Sequence, residues 1–230
     1  SYERKSCMQT EVKYLNNKPE GYYDNDRLEM LKYLPGNVKK TLEFGCGSGG
    51  FSELVKDKFQ AETWAVEIDE KSAKMAEKKL HKVINSDANE AIDKLPDHYF
   101  DCIIFFDVLE HLLDPNSLLL SMKKKLTKDG VILASIPNIR YYRTFSDLVI
   151  HGNWDYKDHG ILDRTHLRFF TYKSLVKLFD KLSFDILLIN GMHPTSSRSY
   201  KILNMIFMGA LWDIRYKHFV VVAKPKLESK

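Results

Sequence analysis

Apolar positions along the chain switch repeatedly between helical and strand spacing. Leu28, Leu31 and Leu34 recur at helical intervals behind Asp24, a candidate N-cap, and Pro35-Gly36 stops the run, so a helix is expected over 24–34. Strands over 39–44, 62–67, 82–85 and 101–106 then alternate with helices over 50–58, 70–80 and 90–95. The run Cys102-Ile103-Ile104-Phe105-Phe106 is apolar without alternation, which suits a central parallel strand covered on both faces. Asp114-Pro115 supply a cap and a first-turn proline for a helix to Leu126, and Gly130 leads into a strand from Val131 to Ile136. Thr171 caps a helix to Leu182, and strands follow at 184–189 and 218–223. This alternation predicts an α/β fold around a mostly parallel sheet with helices on both faces. The two late strands lack a crossover between them and should pair antiparallel at the edge.

The 230 residues, 44% of them hydrophobic, suffice for one well-buried core, so a single domain is expected over 1–230. Between Pro137 and Phe170 the periodicity fails while tyrosines, Trp154 and several histidines accumulate; 138–170 reads as an insertion covering the acceptor site. The net charge of +4 is dispersed, and its one run, Lys123-Lys124-Lys125, reads as a solvated helix face, which argues against a nucleic-acid partner. Cys7, Cys46 and Cys102 are odd in number and unpaired by spacing, as in a reducing cytoplasm. No apolar run resembles a signal peptide or is long enough to span a membrane. The patch from Ile202 to Trp212, broken by Asn204 and Gly209, reads as a packed helix or a partner surface, a second copy of the chain included.

The chemistry starts at Leu42-Glu43-Phe44-Gly45-Cys46-Gly47-Ser48-Gly49-Gly50, where a strand passes into a helix through glycines. Gly45, Gly47 and Gly50 satisfy the dinucleotide fingerprint, and Glu67 lies near the spacing of a ribose-binding acid. Glu43 separates the two candidate ligands. A pyrophosphate at this turn would be repelled by the carboxylate, whereas S-adenosylmethionine has no phosphate and brings a sulfonium and an ammonium that the carboxylate attracts. S-adenosylmethionine is therefore favoured over NAD. Cys46 fits a small residue packed under the ligand, with no nucleophilic role.

Over 39–137 the chain resembles class I S-adenosylmethionine-dependent methyltransferases. The glycine turn, Val66-Glu67-Ile68-Asp69, Asn85-Ser86-Asp87-Ala88 and Asp107-Val108-Leu109-Glu110-His111-Leu112 look like that family's motifs in order. The resemblance implies a Rossmann-like sheet of seven strands with the last pair antiparallel. It places Glu43, Gly45, Cys46, Gly47, Gly49 and Ile68 around the cofactor and gives the ribose hydroxyls to Glu67, where the family more often has Asp. It assigns the adenine to Asp87 and the Ala88 amide, and the methyl-transfer side to Asp107 and Val108. Tyr22-Tyr23 and Arg27 resemble a segment, within 1–38, that folds over the cofactor. Residues 160–171, Gly-Ile-Leu-Asp-Arg-Thr-His-Leu-Arg-Phe-Phe-Thr, resemble bacterial methyltransferases associated with surface-polysaccharide synthesis, which implies a saccharide or capsule-precursor acceptor.

A hydroxyl acceptor needs a base, and a histidine is the usual one, contributing ~10²–10⁴ in rate. His166 is the first candidate, followed by His111 and His159; the alternative for each is an imidazole that holds its loop. Asn138, Trp154, Tyr156 and Arg164 are candidates for holding the acceptor, or for packing the cover onto the sheet. Histidines and aspartates in this segment lack ligand spacing, so no metal is expected. The alternatives are a small-molecule methyltransferase with a quinone-like or amine acceptor, an inactive cofactor-binding partner subunit, and an NAD oxidoreductase.

Overall fold

The computed structural model describes residues 27–226, so Tyr22, Tyr23 and Asp24 lie outside the described residues. Seven strands, β1 (Lys40–Phe44), β2 (Glu62–Glu67), β3 (Lys82–Asn85), β4 (Phe100–Phe106), β5 (Leu126–Pro137), β6 (Phe184–Pro194) and β7 (Tyr216–Pro225), form one sheet in the order β3-β2-β1-β4-β5-β7-β6. The helices are α1 (Gly50–Phe59), α2 (Glu70–Ala76), α3 (Ala88–Ala91), α4 (Pro115–Lys125), α5 (Tyr142–Val149), α6 (Tyr172–Lys181) and α7 (Arg198–Ile206). The sheet is mostly parallel and ends in an antiparallel pair, the Rossmann-like order expected. The chain divides into two compact units, one running to Phe105 with Leu120–Gly130 added, the other Phe106–Leu119 together with residues from Val131 onward.

In the first unit β1 pairs in parallel with β2 and β4, and β2 with β3. Cys102, Ile103, Ile104 and Phe105 are fully buried, which explains the absence of alternation in that strand, and Phe105 stacks on Phe44 with centroids 4.9 Å apart. Asp69 caps α2 by accepting from Ser72 N, and Asp87 caps α3 through Asn89 N. Residues 28–33 form a 3-10 helix, which ends as Leu34 turns extended before Pro35. The lysine run is not wholly solvated. Lys125 is buried, with Nζ donating 2.7 Å bonds to the Leu95 carbonyl and Asp97, because the last turn of α4 faces that loop.

In the second unit β7 lies between β5 and β6 in antiparallel register, with an irregularity between Ile186 and Leu188. β6 and β7 are longer than the apolar blocks alone predict, since their pairing carries polar residues such as Asn190 and Lys224 into the ladder. Thr171 and Ser174 form a reciprocal capping box at the start of α6, as its sequence suggested. The aperiodic segment contains a helix, α5, whose Tyr142 and Phe145 pack with Leu203 against buried Tyr200, Leu211 and Ile214. The Ile202–Trp212 patch is accordingly divided. Leu211 is buried, whereas Ile202, Met205, Ile206, Phe207, Met208 and Trp212 are exposed.

Candidate active site

The first unit builds a backbone cradle. Gly45, Gly47 and Gly49 have φ of 67°, 55° and 84°, values that a side chain would strain. A Cβ at Gly49 would also stand 3.1 Å from the Ala76 Cβ, so glycine permits α1 and α2 to approach. Glu67, at the end of β2, is buried. One carboxylate oxygen accepts from Gly47 N at 2.8 Å and the other from Asp69 N at 2.9 Å, which ties the glycine turn to the second strand. These bonds take two of the roughly four lone-pair positions of a carboxylate. Burial raises the Glu67 pKa, opposed by those backbone bonds.

Glu43, like Glu67 only 4% exposed, accepts a 2.5 Å bond from Ser52 Oγ. Burial pushes its pKa from 4.5 up to about 7, while the Ser52 bond and the charge of Arg27 pull it down. The same burial, with Glu43 and Glu67 nearby, raises the Cys46 thiol far above its ordinary range, in keeping with a packed and unreactive sulfur. Ile68 is exposed beside Glu67, Asp87 is half-buried with one oxygen given to its cap, and Ala88 opens α3. A glycine cradle flanked by two buried carboxylates fits a cationic nucleoside and opposes a diphosphate.

In the second unit Asp107 follows β4 with φ of 54°, its N–H donating to the Ser135 carbonyl and its Oδ1 lying 3.6 Å from His218 Nε2. Val108 leads into a single 3-10 turn that carries Glu110 and His111. Leu167 N and Arg168 N both donate to the Glu110 carbonyl, which pins residues 166–168 beside that turn. As a result His166 stacks edge-on against His111, with centroids 4.7 Å apart.

The two rings are held differently. His166 is buried; its Nδ1 is 2.9 Å from the Ile161 carbonyl, and its Nε2 is 3.9 Å from a Glu110 carboxylate oxygen. His111 is half-buried, with Nδ1 3.0 Å from Thr165 Oγ1 and 3.2 Å from the Thr165 carbonyl. Thr165 Oγ1 gives its own proton to Asp163 at 2.7 Å, so both oxygens facing His111 Nδ1 are acceptors and that nitrogen must carry the proton. Ligand atoms of Glu110, His111 and His166 fall within 4.8 Å of one another, a potential metal set assembled by tertiary structure and invisible in sequence spacing.

The remaining candidates divide. His159 is exposed and lines a cavity of about 520 Å³. Asn138 departs from its expected role. Fully buried, it donates to the Asp213 and Tyr216 carbonyls and accepts from Arg140 N, so its amide joins the cover to the strand region and does not face an acceptor. Trp154 packs edge-on against Phe169, Arg164 pairs with Asp158 at 3.2 Å, and Tyr156 is exposed. Asp163, Thr165 and His218 were missed by sequence reasoning; only the first two lie in a segment that had been singled out.

The family comparison agrees with this geometry. A methyltransferase-domain family matches residues 16–189, and the chain belongs to it. It is similar to a ubiquinone biosynthesis O-methyltransferase of Idiomarina loihiensis, 27% identical over 164 residues, covering 67% of this chain and 65% of that protein. The same-named protein of Neisseria meningitidis is 26% identical over 120 residues, or 47% and 50% of the two chains. The chain thus spans 50% to 65% of the length of these curated relatives. In fold it resembles a SAM-dependent methyltransferase from Archaeoglobus fulgidus, with TM-score 0.62, 24% identity and coverage of 86% and 91%. It also resembles Haemonchus contortus phosphoethanolamine N-methyltransferase 2 in complex with S-adenosyl-L-methionine, with TM-score 0.60, 15% identity and coverage of 87% and 52%. No helix among the described residues is long and apolar enough to cross a membrane.

Proposed function

We propose that this protein is an O-methyltransferase acting on a small hydroxylated molecule, with a phenolic, quinone-like acceptor ahead of a saccharide. The ubiquinone biosynthesis names of its relatives support a small-molecule acceptor. Bound S-adenosylmethionine supplies a methyl group already activated by its sulfonium. The glycine turn, Glu67 and Asp87 hold the nucleoside, and Ile68 and Ala88 flank it. Glu43 supplies negative charge beneath the turn, and Asp107 and Val108 line the side facing the acceptor. Alignment of this kind is worth ~7–11 kcal/mol of barrier.

The observation that carries the reading is the seating of His111 Nδ1 against the Thr165 hydroxyl and carbonyl oxygens, from which its tautomer is assigned. With the proton fixed on Nδ1 by Thr165, the lone pair sits on Nε2, as a general base requires. His111 Nε2 would take the proton of the acceptor hydroxyl as its oxygen displaces the sulfonium from the methyl carbon, the S–C electron pair leaving with the sulfur of S-adenosylhomocysteine. His166, with Nδ1 on a carbonyl and Nε2 toward Glu110, positions the His111 ring. The test is turnover with S-adenosylmethionine over matched phenol, sugar and amine acceptors. Methylation of the phenols alone, with a rate that rises with pH as one imidazole loses its proton, is expected. Turnover confined to amines or sugars would refute the assignment.

A further inference from the structure

We infer that the cavity beside this histidine pair receives an anionic group, a carboxylate or a phosphate, carried by the methyl acceptor. The inference rests on the methyltransferase reading and names the class of substrate. The cavity, of about 520 Å³, lies in the size range of small-molecule sites. Arg143 from α5, Lys157 and His159 from the cover loop and Lys217 from β7 converge on it, against one carboxylate, Asp147. Cations drawn from three chain segments repel one another unless an anion joins them.

Backbone hydrogen bonds shape the wall. Lys157 N donates to the Leu162 carbonyl, Arg164 N to the Lys157 carbonyl and Asp163 N to the Gly160 carbonyl, closing the loop on itself. Gly160, at φ 91°, makes the reversal. The first turn of α5 contributes Tyr142 and Arg143 to the same wall, so its amide ends add positive potential. Ile161 links the cavity to the chemistry: it lines the wall, and its carbonyl accepts from His166 Nδ1. An acceptor anchored here by its anionic end would have its orientation fixed relative to the paired imidazoles.

The test titrates the full chain, saturated with S-adenosylhomocysteine, with phenyl phosphate, benzoate and phenol, following backbone amide shifts. Both anions should bind about tenfold more tightly than phenol and shift the amides of Arg143, Lys157 and Lys217, and the order of the two identifies the preferred oxyanion. Lys157→Met with Lys217→Met, both exposed positions, should remove that advantage, as should added salt. Equal affinity for the three probes, or shifts confined to other residues, would overturn the inference. Failure of S-adenosylhomocysteine itself to saturate would instead overturn the methyltransferase reading, so the two failures are distinguishable.

Discussion

Thr165 Oγ1 donates a 2.7 Å hydrogen bond to Asp163, a residue buried within the cover. That commitment makes the hydroxyl an acceptor toward His111 and selects the imidazole tautomer. Thr165→Val should lower kcat about 10–100-fold with little change in KM, since geometry and tautomer fail while binding persists. The pH–rate profile should shift, and Thr165→Ser should restore both. A valine variant with the parent kcat and profile would show that the hydroxyl only packs.

His111→Ala should cost ~10²–10⁴ in kcat while leaving S-adenosylhomocysteine affinity unchanged, as expected for a lost base. His166→Ala should behave differently. It deletes a buried bond to the Ile161 carbonyl, so a stability loss of about 1–3 kcal/mol should accompany lower activity. Denaturant melts and single-turnover rates on both variants separate the roles, and a reversed pattern would return the base to His166.

Glu43 makes both stability and affinity depend on pH. Its folded pKa of about 7 lies above the ordinary 4.5, so between these values the folded state binds a proton that the unfolded chain has released. Ligand-free stability from this group is full below pH 4.5 and falls as pH rises toward 7, by up to about 3 kcal/mol. A sulfonium favours the ionised carboxylate, so S-adenosylmethionine should bind more tightly as pH rises through 7 while S-adenosylhomocysteine changes less. Glu43→Gln should flatten both dependences. Parallel pH curves for the two ligands, measured by calorimetry, would separate Glu43 from the sulfonium.

Glu67→Ala should weaken cofactor binding more than it slows chemistry, because the contacts at this carboxylate change little during methyl transfer. The loss should exceed that of a simple ribose contact, since Gly47 N and Asp69 N also lose their acceptor and the glycine turn loosens. Cofactor Kd and single-turnover rate measured together decide it. An unchanged Kd would remove Glu67 from the site.

The glycine turn and two helix starts were legible because their signals are local: Gly45, Gly47 and Gly49 are needed where φ is positive, and Asp114 and Thr171 stand where helix caps belong. The acceptor side was less so. His111 and His166 meet through backbone bonds from Leu167 and Arg168 to the Glu110 carbonyl, a tertiary contact that no periodicity encodes. Asn138 looked available for an acceptor because an asparagine in a loop carries four hydrogen-bonding positions, yet the fold spends three of them on the backbone of 140, 213 and 216. Helix α5 was missed because its apolar face is short and flanked by tyrosines that serve the cavity.

The central claim is that the bend after β1 takes a sulfonium nucleoside. Calorimetric titration of the full chain with S-adenosylhomocysteine and, separately, with NAD tests it most directly. Saturable binding of one equivalent of the first with no heat from the second is the expected result; saturable NAD binding without S-adenosylhomocysteine binding would contradict it.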